Sequence, residues 1–382
     1  MSHKKISMLL AVLLITALLA GCAQPQPTPT PAPQPTKAEA TAAPQPTTPP
    51  PTAPPAKKYK VALVCGLLGD RSFLDSAARG IQWAQERLPN VETKIVENAD
   101  VSEQQLAARA MAEQGYDLVI TIGYGSADWT TEIANAYPDT RFALVDAALK
   151  CPNCTGLIFR EHDGSFTVGM VAAMLTKTGK VGYVGGMDVP LLRRFEQGYI
   201  QGVKYVNPNI EVVSGWVGAF NDPTKGKELA LTQYQEGVDI IYAAAGKSGE
   251  GVIAASKEQG KFSIGVDSDQ CYIAPGNVIC SMMKMVDVAV FDAIKSLTEG
   301  KLEPGNRVYG LQEDAVGMCY LYGIDTYFLD NGPKDMAEKM KNEVIPAVKK
   351  AVEKIKAGEF CVVDAMGVYP CDKPAPEGGM GQ

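Results

Sequence analysis

Histidine is nearly missing from this chain of 382 residues, which has two, His3 and His162. A metal centre built on imidazoles and a Ser-His-Asp triad are both disfavoured on that count. An excess of basic charge is missing as well. The chain carries 36 Lys and Arg against 43 Asp and Glu, a net charge of −7 with no basic run, which argues against nucleic acid as a partner. Nucleotide and esterase signatures are incomplete. Gly246-Lys247-Ser248 matches the end of a phosphate-binding loop, but Ile241 stands where that loop needs its first glycine. Gly123-Tyr124-Gly125 opens a dinucleotide pattern that fails at Asp128, and no Gly-x-Ser-x-Gly elbow occurs. With no nucleophile beside a base, an enzyme is not expected.

What is present begins at the N-terminus. Lys4 and Lys5 precede an apolar run from Met8 to Ala20, thirteen residues, too short for a membrane-spanning helix but suited to the core of a secretory signal. Leu19-Ala20-Gly21-Cys22 resembles the lipobox of bacterial lipoproteins, which implies a signal peptide over 1–21 and a lipid on Cys22. No later apolar stretch is long enough to cross a bilayer. Residues 23–56 hold 13 of the 26 prolines and almost no apolar side chains. Such a stretch is expected to be an extended tether between lipid and folded body, reaching on the order of 100 Å at ~3.1 Å per residue. Loss of Lys4 and Lys5 with the signal takes the formal charge from −7 to −9 (−7 minus 2) and leaves His162 as the single histidine.

Eight cysteines remain besides Cys22: Cys65, Cys151, Cys154, Cys271, Cys280, Cys319, Cys361 and Cys371. An even number in an exported chain suggests disulfides. The pairs nearest in sequence are Cys151–Cys154, Cys271–Cys280 and Cys361–Cys371, with Cys65 and Cys319 left by elimination; spacing does not fix the connectivity. Cys151-Pro152-Asn153-Cys154 lacks a second Cys pair at metal spacing, so a structural loop is favoured over a metal half-site.

From Lys60 onward, strand-like and helix-like segments alternate. Lys60–Gly66, Val91–Glu97, Leu118–Ile122, Arg141–Asp146 and Thr155–Phe159 read as strands, followed by Lys180–Gly185, Glu211–Val217, Asp239–Ala244 and Ser263–Asp267, each with a helix between. Ser102–Gln105 reads as a capping box opening a helix that ends near Gly115. Continuous β-branched runs separated by helices predict parallel sheets covered on both faces. This many strands predict two α/β lobes with a cleft, and ligands in such sheets sit beyond the carboxyl ends of the strands.

Gly66–Asp75, Arg160–Gly169, Gly185–Gly202, Ala219–Ala230, Gly249–Ala255, Gly265–Gln270 and Ser281–Val290, in that order, resemble the basic membrane protein family of substrate-binding lipoproteins, which includes purine nucleoside receptors. The resemblance covers about Lys57 to Leu302. It implies a type I periplasmic-binding fold, two doubly wound lobes joined by three crossings. Lobe one is placed at 57–163 plus 285–312, and lobe two at 164–284 plus 313–371, with 372–382 a disordered tail. It implies a monomer with no cofactor that takes a small molecule, a purine nucleoside, and delivers it to ABC permease and ATPase subunits from the outer face of a cell membrane. Carried onto this sequence, Phe73 and Phe220 stack on the base, and Asp146 meets the base edge or the sugar. Asp267 and Lys284 hydrogen-bond ribose hydroxyls, and Gly246 offers backbone. Asp75 is the acidic residue of the first loop, preceded here by Leu74 where many members have Asn. Lys247, in the turn after Ala245, is more basic than nucleoside receptors usually carry. Riboflavin or a sugar is the alternative ligand, and a signalling lipoprotein the alternative role. Asp70 reads as a helix cap and Trp216 as packing, and Arg193 and Arg194 are not separable as ligand contacts by spacing.

Overall fold

The computed structural model describes residues 57–324 and 327–381. The expected signal segment, Cys22 and the tether to residue 56 lie outside the described residues. The chain alternates as expected. It runs β1 (Tyr59–Cys65), α1 (Phe73–Arg87), β2 (Val91–Glu97), α2 (Val101–Glu113), β3 (Leu118–Ile122), α3 (Ala127–Ala136), β4 (Arg141–Val145) and β5 (Cys154–Phe159). It continues with α4 (Glu161–Leu175), β6 (Lys180–Gly185), α5 (Pro190–Val206), β7 (Glu211–Trp216), α6 (Pro223–Gln235), β8 (Ile240–Ala244), α7 (Ser248–Gln259), β9 (Phe262–Asp267) and β10 (Val278–Lys284). After α8 (Val286–Thr298) come two short strands, β11 (Gly305–Tyr309) and β12 (Val316–Met318), then α9 (Tyr327–Asn331), α10 (Lys334–Lys339) and α11 (Ile345–Lys356).

Two six-stranded sheets result, in the orders β11-β5-β4-β3-β1-β2 and β12-β10-β9-β8-β6-β7. All neighbours are parallel except β12, which is antiparallel to β10. Hydrophobic runs explain the sheets directly: all five residues of β3, LVITI, are buried, as a parallel strand covered on both faces requires. The strand order reverses beside β1 in one sheet and beside β6 in the other, so each sheet opens a crevice at the carboxyl ends of its central strands. The chain passes between sheets three times, after β5, after β10 and after β11.

Helix α4 is buried along nearly its whole length because α5, the strands β10 and β12 and the C-terminal helices enclose it. A β-carbon on Gly198 would meet the His162 carbonyl oxygen at 2.3 Å, and one on Gly202 the Phe166 oxygen at 2.1 Å. Two of the segments that carried the family resemblance thus meet as a glycine-lined packing seam. Gly198→Ala should lower stability by about 1–3 kcal/mol, since backbone on both sides must separate. A melting temperature within error of the wild type would refute the seam.

Three local expectations need correction. Helix α2 is capped by Asp100, whose side chain accepts the Ser102 N–H at 2.7 Å, so Ser102 is already inside the helix and the capping box does not form. Disulfides join Cys151 to Cys154 and Cys361 to Cys371. Cys65 on β1 and Cys319 after β12 belong to different sheets and are buried thiols, while Cys271 and Cys280 are buried. The stretch after 371 is not a loose tail through Gly381. The Cys361 N–H donates to the Lys373 carbonyl at 2.8 Å, the Gly378 N–H donates to Lys204 at 2.9 Å, and Gly379 packs on Tyr205. The helix-rich stretch after Lys334 passes through a π turn at Met340–Val344, next to Pro346, which has no N–H to give the helical ladder, and packs on α4.

Candidate ligand-binding site

The carboxyl ends of β4, β9 and β10 and the start of α1 bring Asp146, Asp267, Lys284 and Phe73 together. Lys284, the last residue of β10, is 1% exposed. Its ammonium lies 2.6 Å from Asp146 Oδ1 and 3.1 Å from Glu161 Oε1. The same Nζ sits 4.9 Å from the centroid of the Phe73 ring, 5.1 Å from Phe159 and 5.4 Å from Phe195. Aromatic faces and carboxylates together replace the water this cation gives up. Asp146 and Asp267 both hold positive φ, 81° and 63°, an uncommon conformation for residues other than glycine, and one that clusters at ligand sites.

Asp267 connects the two sheets. It ends β9 in the second sheet and accepts the Ser72 hydroxyl at 2.6 Å from the loop that follows β1 in the first. Beside it, the Ser268 hydroxyl donates to the Ser72 carbonyl at 3.2 Å, and the Gln270 amide donates to the Arg71 carbonyl at 3.1 Å. Asp70 is the cap expected from the sequence, accepting the N–H groups of Ser72, Leu74 and Asp75. Asp75, expected among the ligand-binding residues, is instead committed to its own loop: it accepts the Gly69 and Arg71 N–H groups, each at 2.8 Å.

Burial sets the charges. It pushes Asp267 up to about 7 against the pull of Lys284 and the Ser72 hydroxyl. It pushes Asp146 up to about 6, with Lys284 pulling down and Glu161 adding to the rise. Burial acts to discharge Lys284, but the surrounding carboxylates outweigh it and hold the ammonium above its ordinary range. Two carboxyl groups near neutral pH therefore face one firmly charged lysine.

Phe220 and Gly246 form a second group. Phe220 is 42% exposed. A β-carbon on Gly186 would meet its ring at 2.3 Å, so that glycine admits the ring. Gly246 has φ +55°, and a β-carbon there would lie 3.3 Å from the Phe220 carbonyl oxygen, so what it admits in this structure is the chain at Phe220. The Ser248 hydroxyl accepts the Asp222 N–H at 2.9 Å and donates to the Ala219 carbonyl at 2.8 Å, which pins this loop to the start of α7. Lys247 is exposed.

The other candidates separate cleanly. Arg194 is buried and bound to Glu161 and Asp364, whereas Arg193 pairs with Asp188 and Glu196 and covers the Trp216 ring at 4.5 Å. Trp216 packs over Gly185, as expected. His162 is wholly buried and stacked on Tyr369, and burial together with Arg160 pushes its pKa down to about 3, so it is neutral. Glu161, Ser72 and the Phe159 and Phe195 rings were not singled out from the sequence. Glu161 lies inside one of the resembling segments, but no local signal marks a buried carboxylate whose partners are 33 and 123 residues away.

Residues 58–362 match the Bmp family model, described as ABC transporter substrate-binding protein PnrA-like. Basic membrane protein A of Borreliella burgdorferi is 33% identical over 77% of this chain and 90% of its own length. The ABC transporter nucleoside-binding protein BmpA of Lactococcus lactis is 32% identical over 79% of this chain and 88% of its own. A solved ABC transporter solute-binding protein from Aeropyrum pernix is 32% identical with a TM-score of 0.71, covering 81% of this chain and 93% of that one. The paired sheets are those of a type I periplasmic-binding fold, as the resemblance implied. The chain belongs to the Bmp family of PnrA-like ABC transporter substrate-binding proteins.

Proposed function

We propose that this substrate-binding protein captures a purine nucleoside between two lobes, 57–163 plus 285–312 and 164–284 plus 313–371. It acts as a receptor without turnover, held to the extracytoplasmic face of a cell membrane by a lipid on Cys22 and the tether to residue 56. The observation that carries this reading is the meeting of Phe73, Asp146, Asp267 and Lys284 at the carboxyl ends of the strands. A nucleoside is flat at one end and rich in hydroxyls at the other. Phe73 and Phe220 supply faces for the base, and Asp267 and Lys284 supply an acceptor and a donor for the sugar. Gly246 lets the chain carrying Phe220 sit close beside it, while Asp75 shapes the first loop. The nucleoside-binding name of the Lactococcus lactis relative supports the same ligand class.

Calorimetric titration of residues 57–382, refolded to remove carried-over ligand, tests it against adenosine, guanosine, inosine, cytidine, ribose and riboflavin. Purine nucleosides should bind at micromolar dissociation constants or tighter. Phe73→Ala should weaken them about tenfold or more, the scale of a lost base stack of roughly 1–3 kcal/mol. Heat with riboflavin or ribose and none with any nucleoside would reassign the ligand.

A further inference from the structure

We propose that the disulfide-closed loop from Cys361 to Cys371 positions the ligand-site lysine: Asp364 fixes Arg194, Arg194 fixes Glu161, and Glu161 holds Lys284 beside Asp146. The proposal rests on the reading of Lys284 as a ligand-binding group. Each link is a short contact between buried side chains. Asp364 grips Arg194 through two parallel bonds, Nε to Oδ1 at 2.7 Å and Nη2 to Oδ2 at 3.1 Å. That fork leaves Nη1 to reach the Phe159 carbonyl and Glu161 Oε2, both at 3.1 Å. Glu161 spends its second oxygen on Lys284, at 3.1 Å.

The loop is built around Asp364. Its carboxylate also accepts the N–H groups of Met366, Val368 and Tyr369, and the Tyr369 ring lies 5.4 Å from the Arg194 guanidinium and 4.6 Å from that of Arg160. Buried carboxylates must share the available cations. Without Asp364, Arg194 is free to turn wholly onto Glu161 and draw it from Lys284, which then falls to Asp146 alone. A loop 170 residues from Arg194 in sequence therefore sets how Lys284 is divided between two carboxylates.

Asp364→Asn and, with every charge retained, the pair Cys361→Ser and Cys371→Ser test this through two readouts. The first is affinity for the purine nucleosides at pH 7.5, expected to weaken about tenfold for Asp364→Asn. The second needs no ligand: the melting temperature from pH 5 to 8. The bond from Arg194 keeps Asp364 below the ordinary carboxylate range, so it stays ionised throughout that window. If Asp364 is merely structural, its loss lowers the melting temperature, leaves the titration of Asp146 in place and acts on the pH profile only through Asp163, whose carboxyl Asp364 also holds up. Through Lys284 the loss instead moves the titration of Asp146 to lower pH, so the fall of stability with rising pH ends at lower pH and is smaller in total. The groups facing Asp146 are Lys284, Glu161 and Arg194, while Lys284, Ser72, Asp70 and Asp146 itself face Asp267. A pH profile in which the titration of Asp146 stays in place overturns the proposal, as does wild-type affinity in a protein that binds nucleosides. A wild type silent toward every nucleoside counts against the ligand reading, and the pH profile then decides the positioning role. Should Asp364→Asn fail to fold, the serine pair decides it by the same two measurements.

Discussion

Replacing Lys284 by Met should destabilise the folded protein by about 3–5 kcal/mol at pH 8 and abolish ligand capture. The side chain is fully enclosed, with Asp146 and Glu161 in direct contact and Asp267 near enough to feel its charge. Methionine fills a similar volume among the Phe73, Phe159 and Phe195 rings, so the loss is electrostatic rather than a cavity. The sign of its pH dependence follows from the two aspartates. Both have folded pKa values raised above 3.8, to about 6 for Asp146 and about 7 for Asp267, so each contributes stability that is present below about pH 4 and lost as the pH rises through those values. Removing the lysine takes away the charge that pulls both down, so the loss deepens and extends further above neutrality. The gap between variant and wild type should therefore shrink from pH 8 to pH 5, where both aspartates protonate. Urea unfolding at the two pH values checks this, and an equal gap at both would mean that Lys284 does not neutralise these carboxylates.

Strand positions were largely legible because buried parallel strands announce themselves as apolar runs, and Leu118–Ile122 and Lys180–Gly185 match residue for residue. Helix starts were less so: Asp100 and Ser102 are both good caps, and only the backbone path decides which one stands outside the helix. The candidate site was legible in part. Strand position located the ends of β4 and β9, while it was the family resemblance that singled out Asp146, Asp267 and Lys284 among the strand-end residues. Their support was not legible. Glu161, Arg194 and Asp364 become neighbours only when α4, α5 and the C-terminal loop pack together, and no spacing in the chain encodes a contact across 170 residues. Asp75 shows the opposite error, since a carboxylate in a glycine-containing loop looks the same whether it faces a ligand or caps its own backbone.

Asp267→Asn should separate stability from binding. A buried carboxyl held up to about 7 is partly ionised at neutral pH at the expense of folding, because its folded pKa lies above its unfolded one. The stability it costs grows as the pH rises from about 4 through 7, so the amide, which cannot ionise, should melt higher than wild type at pH 8 and close to it at pH 5. Its carbonyl oxygen still accepts the Ser72 hydroxyl, which keeps the contact between the two sheets. Binding should move the other way. A charged acceptor facing a sugar hydroxyl contributes roughly 1.5–3 kcal/mol, so loss of the charge should weaken a ribonucleoside by about ten- to a hundredfold. A site built for that hydroxyl also penalises its absence. Wild type should prefer a ribonucleoside over its deoxy analogues, and the preference should contract in Asp267→Asn. Calorimetry with both sugars, beside melting curves at pH 5 and 8, reads all of this from one variant. A more stable variant with unchanged affinity and unchanged sugar preference would place Asp267 in the contact between the sheets and outside ligand recognition. A less stable one at pH 8 would mean that the ionised carboxylate is held by Lys284 more strongly than its burial opposes.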